Sequence, residues 1–373
     1  MAPKKNKKAQ DDVDKQLSDV NNYLNVTYSY DLIRYIFSHL SGRELSNSSK
    51  VCKLWRDAAF RELKTRKVVL NFSPFKKYFK PNGSPNKHFD DTLTNKPMIG
   101  LLFSTPRCKL PECLPPHVPS SCVCLSIKNY GLIVNNTDYE DAKNLVAYTF
   151  LPEDPEVDIN LFIRNRVEKK NKDIQKNIFE VPNLRSLFDL ICDDKSTIKN
   201  VKCIIIFVID NNPFTFIDVP TFVRNNRIAI WGGVVNKFSC SVSGSTLTDT
   251  NFMGVVISGD NVRSWSTILT QDDETDESVI NKLTELKKNI KLLKHSIGFM
   301  FSCVARGSGW YDRRKNVESS IFKNLFPTVP LIGSFGNGEL GSCSISEKPE
   351  DDKRLVDLHH QYSTTIMILT YGK

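Results

Sequence analysis

No run of this sequence approaches the ~18–20 continuous apolar residues that a membrane-crossing helix needs. The longest candidates, Cys203–Ile209 and Ile297–Ala305, are short or interrupted. The G-x-S-x-G pattern of a strained nucleophile turn is absent. Only six histidines are present, and His359-His360 stand beside an acidic run with no cysteine close by. Nucleophilic hydrolysis therefore has little support. No leucine-rich or WD period recurs. No secretory apolar segment follows Met1, so the expected location is cytoplasmic and nuclear. A dense basic stripe is missing too. Residues 1–66 hold 13 Lys/Arg against 8 Asp/Glu, and the other 307 residues hold 38 against 34. The large body is nearly neutral, which argues against nucleic acid and anionic membranes as partners.

What is present fills two or three domains. The chain has 373 residues, 40% apolar and 25% charged, with a net charge of +9. Met1–Lys8 is lysine-rich and polar, and residues 1–20 read as a solvated basic tail. Ten cysteines are spread along the chain, several inside apolar runs such as Val201-Lys-Cys-Ile-Ile-Ile206. Buried, reduced thiols behave that way. Cys108, Cys113, His117, Cys122 and Cys124 fall within 17 residues. Their C-x₄-C and C-x-C spacings differ from the C-x₂₋₄-C pairs of structural zinc sites. The expectation is a proline-rich loop leading into a strand near Cys122, with no metal and no cofactor.

The first folded segment is helical. Leu32, Ile33, Ile36, Phe37 and Leu40 line one helix face. Gly42 breaks it. Ser41 and Glu44 then have capping-box spacing, with Ser41 at the N-cap and Glu44 reaching back. Val51, Cys52, Leu54, Trp55, Ala58 and Ala59 line another helix. Two or three helices in about 45 residues bury too little to stand comfortably alone. They either pack on the following domain or dock another protein's helices.

Tyr30-Asp-Leu-Ile-Arg-Tyr-Ile-Phe-Ser-His-Leu40, Leu45 and Val51-Cys-Lys-Leu-Trp-Arg-Asp57 together resemble an F-box, assigned here to residues 21–66. The Val-Cys-Lys-x-Trp-Arg ending carries most of that likeness. Ser29-Tyr30 stands in place of the family's Leu-Pro, and Ser46-Asn-Ser-Ser49 in place of an apolar run. The resemblance implies a helical module that docks the adaptor Skp1 and, through it, cullin and RING subunits of a ubiquitin ligase. The chain would then be a non-catalytic substrate receptor. By match to the motif, Leu32, Ile36, Phe37, Leu40, Leu45, Val51 and Trp55 face the adaptor or hold the bundle.

The remaining ~300 residues alternate strand-like and helical runs, giving an α+β protein: a small all-helical module, then a two-part body of mixed α/β sheets. Strands are expected at Val68–Phe72, Met98–Phe103, Cys122–Ile127, Gly131–Val134, Leu145–Leu151, Val157–Ile163, Val201–Ile209, Arg227–Trp231, Ser296–Val304, Val329–Phe335 and Ser363–Leu369. Gly254–Ser258 and Arg263–Thr270 read as a hairpin. Helices are expected at Leu184–Ile191, Thr215–Asn226, Asp276–Leu293 and Val317–Phe326. The halves meet near 235–250.

Ile297-Gly-Phe-Met-Phe-Ser-Cys-Val-Ala-Arg-Gly307 and Gly336-Asn-Gly-Glu-Leu-Gly341 resemble the C-terminal FIST domain. The implied division is a FIST N-terminal-like domain over 67–235 and a C-terminal-like domain over 236–373, with Glu347–Arg354 as a surface insertion. Gly336–Gly341 also fits G-x-G-x-x-G, but Ser342-Cys-Ser-Ile-Ser does not open the helix a dinucleotide site requires. FIST domains are viewed as small-molecule sensors, so an alternative function is a ligand site that gates partner recruitment. Its candidates are Cys303, Arg306, Gly307, Asn337 and Glu339. Arg306 either binds an anion or pairs with Glu339. The resemblance extends to a protein substrate, expected among transcription or chromatin regulators, read by the body.

Overall fold

The computed structural model describes residues 29–109, 118–119, 121–164, 178–193, 196–209, 218–242, 245–247, 250–346 and 356–373. The basic tail, Cys113, His117 and the Glu347–Arg354 run lie outside them. The protein is α+β and forms two compact units. One comprises the residues up to Arg66 together with Asp91–Lys96, and the other Lys67–Asp90 with Pro97–Lys373.

Among the described residues the smaller unit holds three helices, α1 (Tyr30–Ser38), α2 (Gly42–Ser48) and α3 (Lys53–Thr65). The Ser41–Glu44 capping box forms in both directions: Ser41 Oγ accepts from the Glu44 amide at 3.3 Å, and Ser41 N donates to Glu44 Oε2 at 2.7 Å. Two of the four free amides at the start of α2 are satisfied in this way.

The larger unit is built three times over from one plan. The first repeat runs β1 (Val69–Pro74), short helices α4 (Phe75–Tyr78) and α5 (Lys87–Asp90), then β2 (Pro97–Ser104), β3 (Val123–Lys128), β4 (Gly131–Val134), β5 (Thr137–Tyr139) and β6 (Leu145–Pro152). The second runs β7 (Asp158–Ile163), β8 (Ile178–Glu180), α6 (Leu184–Cys192), β9 (Val201–Ile209), α7 (Thr221–Asn225), β10 (Ala229–Val235), β11 (Lys237–Val242), β12 (Ser245–Leu247) and β13 (Phe252–Ser258). The third runs β14 (Arg263–Leu269), α8 (Asp276–Asn289), β15 (His295–Cys303), α9 (Val317–Leu325), β16 (Leu331–Gly336), β17 (Glu339–Gly341), β18 (His359–His360) and β19 (Thr364–Tyr371).

Each repeat centres its sheet on a parallel pair, β2–β3, β9–β10 or β15–β16. In each, the repeat's last strand pairs antiparallel with both its first strand and the first member of that pair. The second member's free edge is covered by a strand from another repeat. β4 joins β16, β11 joins β3 and β17 joins β10. The exchange is cyclic and leaves no repeat with an open central edge. Each sheet therefore draws strands from both sides of residue 235.

Alternation places one face of all three sheets in a shared core. Ile99, Leu101 and Phe103, then Cys203, Ile205 and Phe207, then Ile297, Phe299 and Phe301 occupy matching inward positions. Trp231 is fully buried among them, with ring centroids 5.7 Å from Phe207, 5.1 Å from Phe299 and 6.2 Å from Phe301. Gly233 makes room for Phe301, since a Cβ there would lie 2.2 Å from its ring. The outer faces carry the helices, α6 and α7 on one sheet and α8 and α9 on another.

Three expectations are corrected. Gly254–Ser258 and Arg263–Thr270 do not form a hairpin. β13 lies between β9 and β7, so both its edges are occupied, and β14 pairs with β19 in a different sheet. The helix expected over Thr215–Asn226 is the single turn of α7, because Pro220 at its N-cap cannot extend it backwards. Residues 215–217 lie outside the described set. Helix α8 stops at Asn289 rather than Leu293, with Ile290 already extended.

Candidate functional site

The helical unit is the first candidate. Ile33, Phe37, Leu45, Ala58 and Ala59 form its buried centre, with Tyr30, Leu40, Leu54, Trp55 and Leu63 packed partly against it. The Phe37 and Trp55 rings meet edge to face at 5.4 Å, a geometry that adds to plain burial. The motif residues thus separate into two groups. Phe37 and Leu45 hold the bundle, and Leu40 and Trp55 contribute partly. Leu32 is half-buried, whereas Ile36 is 48% and Val51 63% exposed. Tyr35 at 67% and Phe60 at 52% are further exposed apolar side chains outside the seven motif positions. A unit this small that leaves four large apolar side chains in solvent has the composition of a docking surface.

The second candidate lies at the end of β15 in the larger unit. Arg306 follows β15 in a short 3₁₀ turn and is almost completely buried. Its guanidinium donates to Glu318 Oε1 at 2.9 Å, Thr270 O at 2.6 Å, Asp273 O at 2.8 Å and Tyr311 Oη at 2.9 Å. Tyr311 Oη in turn donates to Glu318 Oε1 at 2.6 Å. A buried cation with every donor engaged is a structural knot. The pairing of Arg306 with Glu339 does not form. The carboxylate partner of Arg306 is Glu318, supplied by α9 twelve residues on. Gly307 and Arg306 border a cavity of about 10 Å³, room for roughly one water.

Cys303 and Glu339 do come together. Glu339 is fully buried; its Oε2 accepts from the Ser363 amide at 3.1 Å and Ser363 Oγ at 2.7 Å, and the Cys303 thiol faces the same carboxyl. Burial pushes the Glu339 carboxyl up to about 7, against the lowering effect of the Ser363 hydrogen bonds. Burial also raises the Cys303 thiol, and Glu339 raises it further, the opposite of an activated nucleophile. Asn337 is exposed. Gly336–Gly341 turns from one strand into another, as its rejection as a dinucleotide loop requires.

The strand register makes Glu339 conspicuous. Gly233 of β10 faces Phe207 on one side and Glu339 on the other. The matching rows in the other repeats place Phe238 and Leu132 at that position. Two repeats put an apolar side chain where the third has a carboxyl.

Residues 30–70 match the F-box-like family model and carry an F-box-like domain. Over 167 residues, 41% of the chain, the sequence is 35% identical to F-box only protein 22 from Homo sapiens and 34% identical to F-box only protein 22 from Pongo abelii. The matched region spans 40% of the length of each of these relatives. Among solved structures, cyanuric acid hydrolase from A. caulinodans aligns over 82% of this chain and 99% of its own, with a TM-score of 0.32 and 6% identity. That likeness is too distant to carry an argument.

Proposed function

We propose that this chain is the substrate-recognition subunit of a Skp1–cullin–F-box ubiquitin ligase. The F-box-like domain docks Skp1, cullin and RING subunits follow through Skp1, and the body, read as FIST N- and C-terminal-like domains, binds the protein to be ubiquitinated. The chain performs no covalent chemistry in this reading and works in cytoplasm and nucleus. Its substrate is a protein, with transcription or chromatin regulators as the class to screen first. The observation that carries the proposal is the F-box-like domain at residues 30–70, whose motif residues Ile36 and Val51 remain exposed over a core of Phe37 and Leu45. An apolar pair held outward on a rigid bundle is what a partner helix can cover.

Co-purification with Skp1 tests it. The wild-type chain should form a stable complex, and an Ile36→Asp plus Val51→Asp variant should lose it while staying folded. A wild-type chain that gives no complex, or a double variant that binds as well as wild type, counts against the assignment.

A further inference from the structure

The smaller unit contains more than its helices. Asp91–Lys96 belongs to it although 24 residues of the larger unit, Lys67–Asp90, intervene in sequence. Leu93 and Asn95 are buried. The Leu93 carbonyl accepts from the Gly42 amide at 2.8 Å, a donor at the first position of α2 that the capping box leaves free. Gly42 is buried against this segment: a Cβ there would lie 2.8 Å from both the Asn95 nitrogen and its carbonyl oxygen.

Arg66 closes the arrangement. One terminal nitrogen donates to Leu40 O at 2.6 Å, in the corner after α1, and to Phe37 O at 3.1 Å, a last-turn carbonyl of α1 that also accepts from the Leu40 amide at 3.1 Å. The other donates to Thr94 O, and Nε donates to Glu62 Oε1 of α3 at 3.2 Å. A single planar guanidinium thus joins the end of α1, the last turn of α3 and the 91–96 segment. Lysine, a point charge with one nitrogen, could not span the three.

We propose that Asp91–Lys96 is a strap that completes the docking module, and that Arg66 is the positioning residue through which the strap sets the corner between α1 and α2. The inference rests on the proposed function only for its binding consequence. That corner lies just beyond Phe37 and Leu40, on the helix that presents Ile36, so a loosened strap lets the docking helix shift. The chain's docking module is therefore discontinuous, and a fragment ending near residue 70 lacks part of it.

Gly42→Ala in the full chain separates the alternatives by sign. Alanine is the better helix former, so without a packed strap the substitution is neutral or stabilising. With the strap present, its methyl collides with backbone. Hydrogen exchange read by peptide in the full chain should show Tyr30–Ser48 exchanging about tenfold faster in Gly42→Ala and in Arg66→Gln. β15 and β16 should stay unchanged as a folding control. In Arg66→Gln the acceleration should centre on the α1–α2 corner and leave α3 protected; uniform loss across all three helices would reduce Arg66 to a general stabiliser and overturn its positioning role. Skp1 affinity should fall about tenfold in both variants. Unchanged or slower exchange in Gly42→Ala overturns the strap whatever Skp1 does. Faster exchange with no Skp1 binding even by wild type leaves the strap standing and removes the proposed function instead. Should Gly42→Ala not fold, Leu93→Ala replaces it, with wild-type exchange as the overturning result.

Discussion

The two units solve the same problem by different means. The larger one closes three sheets on a shared apolar core and gives every central strand a neighbour, so its stability is spread over many side chains. Among the described residues the smaller one centres on a cluster of five buried apolar side chains, too few to dominate folding at that size. It compensates with placed polar contacts: a capping box, and an arginine that ties helix ends to a strap. The lesson is that fold and docking surface compete for the same apolar residues. A unit that keeps Tyr35, Ile36, Val51 and Phe60 in solvent has withdrawn them from its own core.

The comparison breaks first at Trp231. It is buried at the junction of aromatic side chains from two other repeats. Trp231→Ala should cost about 3–5 kcal/mol, read as a lower denaturant midpoint for the body. A loss below ~1 kcal/mol would mean that the shared core is not the unifying element described above. Phe37→Ala comes next, at about 3 kcal/mol from the same principle. Its signature differs in place rather than size: exchange protection should vanish across Tyr30–Thr65 while β9, β10 and β15 keep theirs. If protection fell everywhere together, the two units would not be energetically separable.

How much of this was legible in the sequence follows from how local each feature is. Capping at Ser41 and Glu44 depends on residues three apart, and it was readable. So were the apolar runs at Met98–Phe103 and Val201–Ile209, because a strand buried on both faces has no polar alternation to confuse. The cyclic exchange was not readable. β17 has three residues, two of them defined by their place between Gly336 and Gly341, and nothing in Glu339-Leu-Gly341 names β10 as its partner. The strap reads Asp-Thr-Leu-Thr-Asn-Lys, an ordinary polar loop, and Arg66 looks like a solvated cation at a helix end. Glu339 was singled out by motif, but its contrast with Phe238 and Leu132 needed the register.

Buried carboxyls sharpen the comparison on a smaller scale. Asp138 on β5 is pushed up to about 7, chiefly by burial, with the neighbouring Glu318 and Glu140 carboxylates adding to the rise. The folded chain then holds a proton between about pH 4 and 7 that the unfolded chain has released, so this group's contribution to stability falls as pH rises through that window. Asp138→Asn removes the titration. The variant should gain relative to wild type between pH 4.5 and pH 8 in urea unfolding. A pH-independent difference would show that Asp138 titrates alike in both states. Glu339→Leu applies the same test to the odd repeat. Leucine already fills the matching position as Leu132, so at pH 8 the substitution should be tolerated within about 1.5 kcal/mol. A much larger loss would show that the Ser363 and Cys303 contacts hold the end of β15 in a way the other repeats do not need.

The smallest expected change in stability is the most informative about the docking unit. Val51 is 63% exposed, so Val51→Ala removes two methyl carbons that are already largely in water. The unfolding midpoint of the unit should move by less than about 0.5 kcal/mol. A partner that covers Val51 would nevertheless lose the burial those carbons provide on binding, about 0.8 kcal/mol for each carbon fully covered. Stability and affinity should therefore separate at this position, whereas at Phe37 they should fall together. If Val51→Ala lowered both, the side chain would be part of the bundle, and the division of the motif residues into holders and presenters would have to be redrawn around Ile36 alone.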